Sequence, residues 1–297
     1  NLEKRRLQHL YRSRVRVDSG CSDQLSVNGK TVHNFCSNDY LGLAENAVIA
    51  DAFKQGIDHY GTGSGASHLI YGHSTEHHAL EEELAEFTQR QRALLFSTGY
   101  MANLGTINAL CGKGDNIFED RLNHASLIDA GLSSLSKFSR YSHSDTLDLS
   151  NKMQNASGSK LVVTDGVFSM DGDIAELPQL AEVCQKGQGW LMVDDAHGVG
   201  VMGKNGGGLT EHFHLTAEEI PILIGTLGKA FGTFGAFVAG SEELIETLVQ
   251  FARTYIYTTA LPPKPGYFFD IIVLEESSSV LTPPRVTSAV RYPSVPV

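Results

Sequence analysis

Four short runs of apolar residues, each ending at polar ones, constrain the fold of this chain more than any other feature. They are Ala93–Phe96 before Ser97-Thr98-Gly99-Tyr100, Leu161–Thr164 before Asp165 and Ser169, Trp190–Val193 before Asp194-Asp195, and Pro221–Gly225 before Thr226. None alternates with polar residues. A run this short and apolar on both faces reads as a strand covered on both sides, the pattern of a parallel sheet. In open sheets of that kind, ligands bind beyond the carboxyl ends of the strands. Here those ends carry Ser, Thr, Asp, His and Lys. The expectation is an α/β fold with a mostly parallel central sheet and a small-molecule site at one end of it.

Two of those ends suggest which molecule. Asp194-Asp195-Ala196-His197 and Thr226-Leu227-Gly228-Lys229 together offer what pyridoxal phosphate (PLP) requires of a protein. An amine must form the Schiff base, and a carboxylate must keep the ring nitrogen protonated so that the ring can draw in electrons. Lys229 is the candidate amine and Asp194 the candidate carboxylate. A lone lysine is usually a solvated surface charge. Lys229 instead follows an apolar run and sits between Gly228 and Ala230-Phe231-Gly232, where partial burial would lower its pKa and make it nucleophilic. His197, close behind Asp194, would lie near the ring's hydroxyl. His124, at the expected start of a helix, is the candidate for the ring that flanks the pyridine face.

Length and composition set the frame. A chain of 297 residues holds one large α/β domain and some appendage. No stretch approaches the ~20 apolar residues of a membrane span, and no signal peptide is visible. A net charge of −11 argues against nucleic acid as a partner. Cys21, Cys36, Cys111 and Cys184 are scattered, without a C-x-x-C pair, and read as reduced thiols of a cytoplasmic protein. The basic start, from Lys4 to Arg16, reads as an N-terminal helix with a basic solvent face.

Several other patterns have plainer readings. Thr75–Phe87 is expected to be a helix, with Leu80, Leu84 and Phe87 on one face and Glu81, Glu82 and Glu83 mostly toward solvent. His73, His77 and His78 lack both the glutamate of H-E-x-x-H and a third ligand, so they read as helix-surface histidines and no metal site is expected. Gly61-Thr62-Gly63-Ser64-Gly65 follows no strand and reads as a flexible active-site loop, and Gly206-Gly207-Gly208 as a turn. Of nine prolines, seven lie from Pro262 onward, beside Ser277-Ser278-Ser279. The chain therefore divides into an N-terminal segment (1–40), a PLP-binding large domain (41–261) and a Pro/Ser-rich aberrant tail (262–297).

The motifs Ser37-Asn38-Asp39-Tyr40-Leu41-Gly42-Leu43, Asp120 to Ser126, Thr164 to Gly172, Val193 to Gly198 and Thr226 to Lys229 resemble, in order and spacing, the signature set of the α-oxoamine synthases. These are fold-type I PLP enzymes similar in architecture to aspartate aminotransferase. The resemblance spans residues 1 to about 261 and implies a PLP-dependent acyltransferase that works as a homodimer. It implies that Gly99 and Tyr100 offer backbone N–H groups to the cofactor phosphate, that Thr226 adds a hydroxyl, and that Thr258 and Thr259 reach the partner's phosphate. Ser169 and His197 would bond the ring's hydroxyl side, His124 would stack on the ring, and Lys229 would take the α-proton. Arg12 and Asn38 would contact substrate.

Within the family, Gly61 to His68, Tyr71 to Ser74 and Ala79 to Ala85 are most similar to the branch that condenses L-alanine with pimeloyl-CoA or pimeloyl-acyl carrier protein to 8-amino-7-oxononanoate, in biotin biosynthesis. Thr226 to Ala230 suits the glycine C-acetyltransferase branch equally well. Family members continue for about another 100-residue domain past Pro263. The resemblance fades there, which implies a C-terminal small domain that is largely missing, and a chain that is an acyl-transferring synthase, a remnant of one whose activity truncation has removed, or a catalytically silent chain that only dimerises.

Overall fold

Each of the four apolar runs is a strand with both faces covered. The computed structural model describes residues 1–263, so the expected Pro/Ser-rich tail lies, beyond Pro263, outside the described residues. In chain order the elements are α1 (Leu2–Leu7), β1 (Gln24–Val27), β2 (Lys30–His33), α2 (Ala47–Tyr60), α3 (Thr75–Phe87), β3 (Arg92–Phe96), α4 (Gly99–Leu110), β4 (Asn116–Asp120), α5 (Ala125–Ser133), β5 (Lys137–Tyr141), α6 (Thr146–Gln154), β6 (Lys160–Asp165), α7 (Leu177–Gly187), β7 (Trp190–Asp194), α8 (Leu209–His212), β8 (Ile222–Thr226), β9 (Ala236–Gly240), α9 (Glu242–Phe251) and α10 (Arg253–Ile256).

β1 and β2 form a separate hairpin. The other strands make one seven-stranded sheet in the order β3-β9-β8-β7-β6-β4-β5. Among the described strands of this sheet only β9 runs against its neighbours; the pairs from β8 across to β5 are parallel. The alternating faces of each strand enter different cores. Leu161, Val163, Met192, Ile222 and Ile224 point into a core with α4, α5 and α9. Val162, Leu191 and Val193 point into another with α6 and α7. Burial on both sides is why these strands read as unbroken apolar runs.

The sheet also contains strands whose sequences hide them. β4 reads Asn-Ile-Phe-Glu-Asp, yet all five residues are buried. Glu119 is fully enclosed, and neither of its carboxylate oxygens has a hydrogen-bond partner among the described residues. Burial pushes its pKa up to about 8, against the pull of nearby Asn123 and Arg140. A carboxyl raised in the folded state contributes stability below its unfolded pKa and loses it as pH rises through the folded value. Glu119→Gln is therefore expected to melt higher than the parent chain at pH 9, with the gap closing toward pH 5. Each kcal/mol corresponds to about 2–4 °C at this size, and melting followed by circular dichroism across that range checks it.

α3 spans Thr75–Phe87 as expected, and its Leu80 and Leu84 are buried. Two expectations about its polar residues are corrected. Glu81 is buried, because its Oε1 accepts the Leu95 N–H at 2.9 Å. β3 is an edge strand, and the glutamate satisfies a backbone donor that the sheet leaves open. His77 is also buried. Its Nδ1 accepts the Ser74 N–H at 3.0 Å, so its Nε2–H donates to the Leu261 carbonyl at 2.8 Å. His73 precedes the helix and sits 2.9 Å, Nδ1 to Nδ1, from His68. The rings of His68, His73 and His77 thus form a cluster, His68 and His77 buried and His73 partly so, with ligand atoms within 4.8 Å of one another. Both nitrogens of His77 are engaged by the backbone, which leaves it no lone pair for an ion.

Candidate active site

The carboxyl ends of β6, β7 and β8 and the first turns of α4 and α5 converge on a cavity of about 190 Å³. Gly99, Tyr100, Asn103, His124, Ser126, Asp165, Ser169, Asp194, Ala196, His197, Thr226 and Lys229 line it. Every residue expected to hold the chain's own cofactor, as distinct from a partner's, is among them. The parallel register places Asp165 directly beside Asp194.

Asp194 is anchored at both carboxylate oxygens. Its Oδ2 accepts from Asn103 Nδ2 at 2.6 Å and its Oδ1 from the Ala196 N–H at 3.1 Å. The same Asn103 amide donates to Ser126 Oγ at 2.9 Å, and the Ser126 hydroxyl lies 2.7 Å from His124 Nδ1. The Ser126 N–H also points at that nitrogen, at 3.3 Å. Nδ1 is therefore the acceptor, and His124 carries its proton on Nε2. One asparagine thus links the buried carboxylate to the histidine ring, and its own Oδ1 is buried without a partner among the described residues.

Asp165 holds the same histidine by its backbone. Its Oδ2 accepts the His124 N–H at 2.6 Å, and its own N–H donates to Asn123 Oδ1 at 3.0 Å. Burial is the main cause that raises its pKa, and the neighbouring Asp194 adds to it. Lys229 lies across the cavity, with Nζ 2.7 Å from His197 Nε2. Burial lowers the lysine's pKa, opposed by Asp194 and Asp165. Burial, and then Lys229 itself, bring His197 down to about 4.

At the anion end, Thr98 caps α4 by accepting the Met101 N–H. The amides of Gly99 and Tyr100 are in the first turn, which has no intrahelical acceptors and favours negative charge. A Cβ built on Gly99 meets nothing within 4 Å, so the approach is open. The Tyr100 hydroxyl is turned away to Asp129. Thr226 Oγ1 donates to the Gly235 carbonyl and accepts the Gly228 N–H. The donor set, an enclosed amine opposite a buried carboxylate with open amides between strand ends, fits PLP.

Other expected residues stand apart from this cavity within one chain. Arg12 is exposed and does not line it; nor do Asn38, Thr258, Thr259 and the Gly61–Gly65 loop. Ser64 of that loop is instead bonded to the Leu261 carbonyl. Asn103, Ser126 and Asp165 hold the candidate groups of the cavity, and the Tyr40 hydroxyl lies 2.5 Å from His197 Nδ1; sequence reasoning gave none of the four a role. Asp165 was visible as the polar end of a strand; Asn103 carried no signal.

The comparisons agree with this geometry. The family pattern "Aminotransferase class I and II" matches residues 30–264. An 8-amino-7-oxononanoate synthase of Pseudomonas fluorescens is 60% identical over 262 residues, covering 88% of this chain and 67% of that one. The enzyme of the same name from Methylococcus capsulatus is 62% identical over 254 residues, 85% of this chain and 66% of that one. Among solved structures, the 8-amino-7-oxononanoate synthase of Francisella tularensis is 38% identical with a TM-score of 0.70, covering 82% of this chain and 69% of that chain. A serine palmitoyltransferase of S. paucimobilis, solved with PLP and myriocin bound, is 30% identical with a TM-score of 0.84, covering 90% and 67%. The chain spans about two thirds of the length of these curated relatives. It belongs to the aminotransferase class I and II family, among the relatives of 8-amino-7-oxononanoate synthase.

Proposed function

We propose that this chain binds PLP at Lys229 and catalyses, as its relatives' name indicates, the decarboxylative condensation of L-alanine with a pimeloyl thioester to 8-amino-7-oxononanoate. The observation that carries the reading is the convergence of Lys229, Asp194 and His124 with open first-turn amides on one cavity. PLP, when bound, supplies an electron sink for negative charge at the amino acid's α-carbon. Lys229, its pKa lowered by burial, is free to act as nucleophile and then to take the α-proton at Nζ. Asp194, fixed by Asn103 and Ala196, would hold the proton on the ring nitrogen. His124, oriented through Ser126 and Asp165, would flank the ring. Gly99, Tyr100 and Thr226 would hold the phosphate, and Ser169 and His197 the hydroxyl side. The exposed Arg12 and Asn38 would contact substrate, and Thr258 and Thr259 the phosphate of a partner subunit in a homodimer. Among the described residues no helix is long and apolar enough to cross a membrane. All four cysteines are free thiols, which supports a cytoplasmic setting.

The test is product analysis. The purified chain, loaded with PLP, is given L-alanine with pimeloyl-CoA or pimeloyl-acyl carrier protein, and separately glycine with acetyl-CoA. Mass-spectrometric detection of 8-amino-7-oxononanoate is the expected result. Product only from glycine and acetyl-CoA would reassign the chain to the acetyltransferase branch.

A further inference from the structure

A hydrogen-bonded chain leads from Lys229 out of the cavity. Lys229 Nζ is 2.7 Å from His197 Nε2, and the other ring nitrogen, Nδ1, is 2.5 Å from the Tyr40 hydroxyl. That hydroxyl is 3.4 Å from Asn38 Oδ1. Tyr40 is 43% exposed, so the outer member of the chain meets water while the amine at its inner end is largely enclosed. An imidazole with one partner on each nitrogen can pass a proton across itself by changing tautomer, without turning.

Two arrangements satisfy the distances. With Lys229 as an ammonium, its N–H donates to Nε2, the Nδ1–H donates to the Tyr40 oxygen, and the Tyr40 O–H donates to Asn38. With Lys229 as an amine, the Tyr40 O–H donates to Nδ1 and the Nε2–H donates to the lysine lone pair. Going from the first to the second, an Nζ–H bond breaks as Nε2–H forms. The Nδ1–H bond breaks as a new Tyr40 O–H forms, and the proton Tyr40 held before leaves to water. One proton moves from Lys229 to solvent, and His197 and Tyr40 end neutral.

We propose that His197 and Tyr40 form a proton relay between Lys229 and solvent, with Tyr40 as a positioning residue for the lysine amine. The proposal rests on the reading that Lys229 captures PLP, a step that requires the free amine. A molecule filling the cavity displaces the water that could otherwise take the proton directly, which leaves the relay as the route. The surroundings suit it. Burial keeps His197 neutral, down to about 4, and holds the Tyr40 phenol above its ordinary value, so neither member holds a charge of its own near neutral pH. The charged or titratable groups facing His197 are Lys229, Asp194 from β7 and His124 at the start of α5, and Asp165 from β6 faces Lys229. The two carboxylates favour the ammonium form of Lys229, and His124 adds to the lowering of His197.

Two measurements on the purified chain test this. The first is the rate of PLP capture, read from visible absorbance between pH 5 and 11, for the parent chain, Tyr40→Phe and a Lys229→Ala blank. The variant is expected to capture about tenfold or more slowly near neutral pH and to converge with the parent at high pH, where hydroxide takes the proton directly. Superimposed profiles overturn the relay. The second needs no cofactor, so it decides the relay even where PLP fails to bind: nitrogen NMR of the His197 ring in the cofactor-free chain. The ring is expected to change from Nδ1–H to Nε2–H as Lys229 titrates in the parent chain, and to lose that coupling in Tyr40→Phe. A single tautomer throughout the titration of Lys229 overturns the proposal. Absence of Lys229-dependent absorbance in the parent chain, with the tautomer change intact, instead removes the PLP reading and leaves the relay standing.

Discussion

Lys229→Ala is expected to lose the visible absorbance that marks covalent attachment of PLP and to lower turnover by about a thousandfold or more, since both the nucleophile and the base at the α-carbon are removed. The geometry makes a sharper statement than loss alone. Lys229 is the positive charge that lowers the pKa of Asp165, and its Nζ is bonded to His197 Nε2. Its removal leaves Asp165 harder to ionise and takes away one cause that depresses His197. The variant should therefore still bind PLP through Gly99, Tyr100 and Thr226, without the covalent band, and its His197 should titrate at a higher pH than in the parent. In the parent chain the rate of capture should rise with pH and level off below the ordinary lysine range, because the amine is the reactive form and burial lowers its pKa. Absorbance spectra with PLP, with and without L-alanine, read all of this. A Lys229→Ala chain that keeps the covalent band would remove Lys229 from the site. A parent chain whose band forms but ignores alanine would have a cofactor site without its amino-acid half, and one that dimerises without any band would be a silent remnant of the fold.

How much of this was legible follows from how each signal arises. β3, β6, β7 and β8 were readable because a strand buried on both faces needs apolar residues at every position, and their ends gave Lys229, Asp194 and Thr226. β4 was not, because Asn116, Glu119 and Asp120 are buried as polar residues and satisfied or tolerated through tertiary neighbours. β9, Ala-Phe-Val-Ala-Gly, is buried on both faces, Val238 in the core with α4 and α9 and Phe237 in the core with α3, and its antiparallel direction leaves no trace in composition. The exposed face expected for α3 failed at Glu81 for a related reason: a helix beside an edge strand has a second polar task, and periodicity shows only the apolar one. Asn103 and Tyr40 lie beyond local reading altogether. They act on partners 91 and 157 residues away in the chain, so only the fold brings them into play. The Gly61–Gly65 loop, expected at the site, is tied to Leu261 instead, and its glycines serve the backbone there, with Gly61 and Gly65 at positive φ.

Asp194→Asn separates function from folding in opposite directions. The side chain keeps its size, and Asn103 can still donate to its oxygen, so the surroundings are preserved. The carboxylate that would hold the ring nitrogen protonated is gone, and a fall in turnover of about 10²–10⁴-fold is expected from losing one such preorganised group. Stability should move the other way. Asp194 is one cause, after burial, of the raised pKa of Asp165, and it adds to that of the fully buried Asp195, which burial pushes up to about 8. Carboxyls raised in the folded state contribute stability below their unfolded pKa and lose it as pH climbs through the folded value. Removing the like charge brings both back toward the ordinary carboxylate range, so the variant should lose less stability on going from pH 5 to pH 9 than the parent does. Its melting temperature should gain on the parent's from the acid end, where the lost attraction to Lys229 counts against it, to the alkaline end, where the relieved repulsion counts for it. A carboxylate held in place by selection for folding would behave in the reverse sense, with stability falling on its removal. Three clustered acids at the ends of two neighbouring strands, Asp165, Asp194 and Asp195, are a cost to the folded chain that a bound cation such as a protonated pyridine ring would offset. Melting curves of the cofactor-free parent and variant from pH 5 to pH 9, beside their turnover, check both halves. A variant that is less stable at every pH would make Asp194 a structural residue.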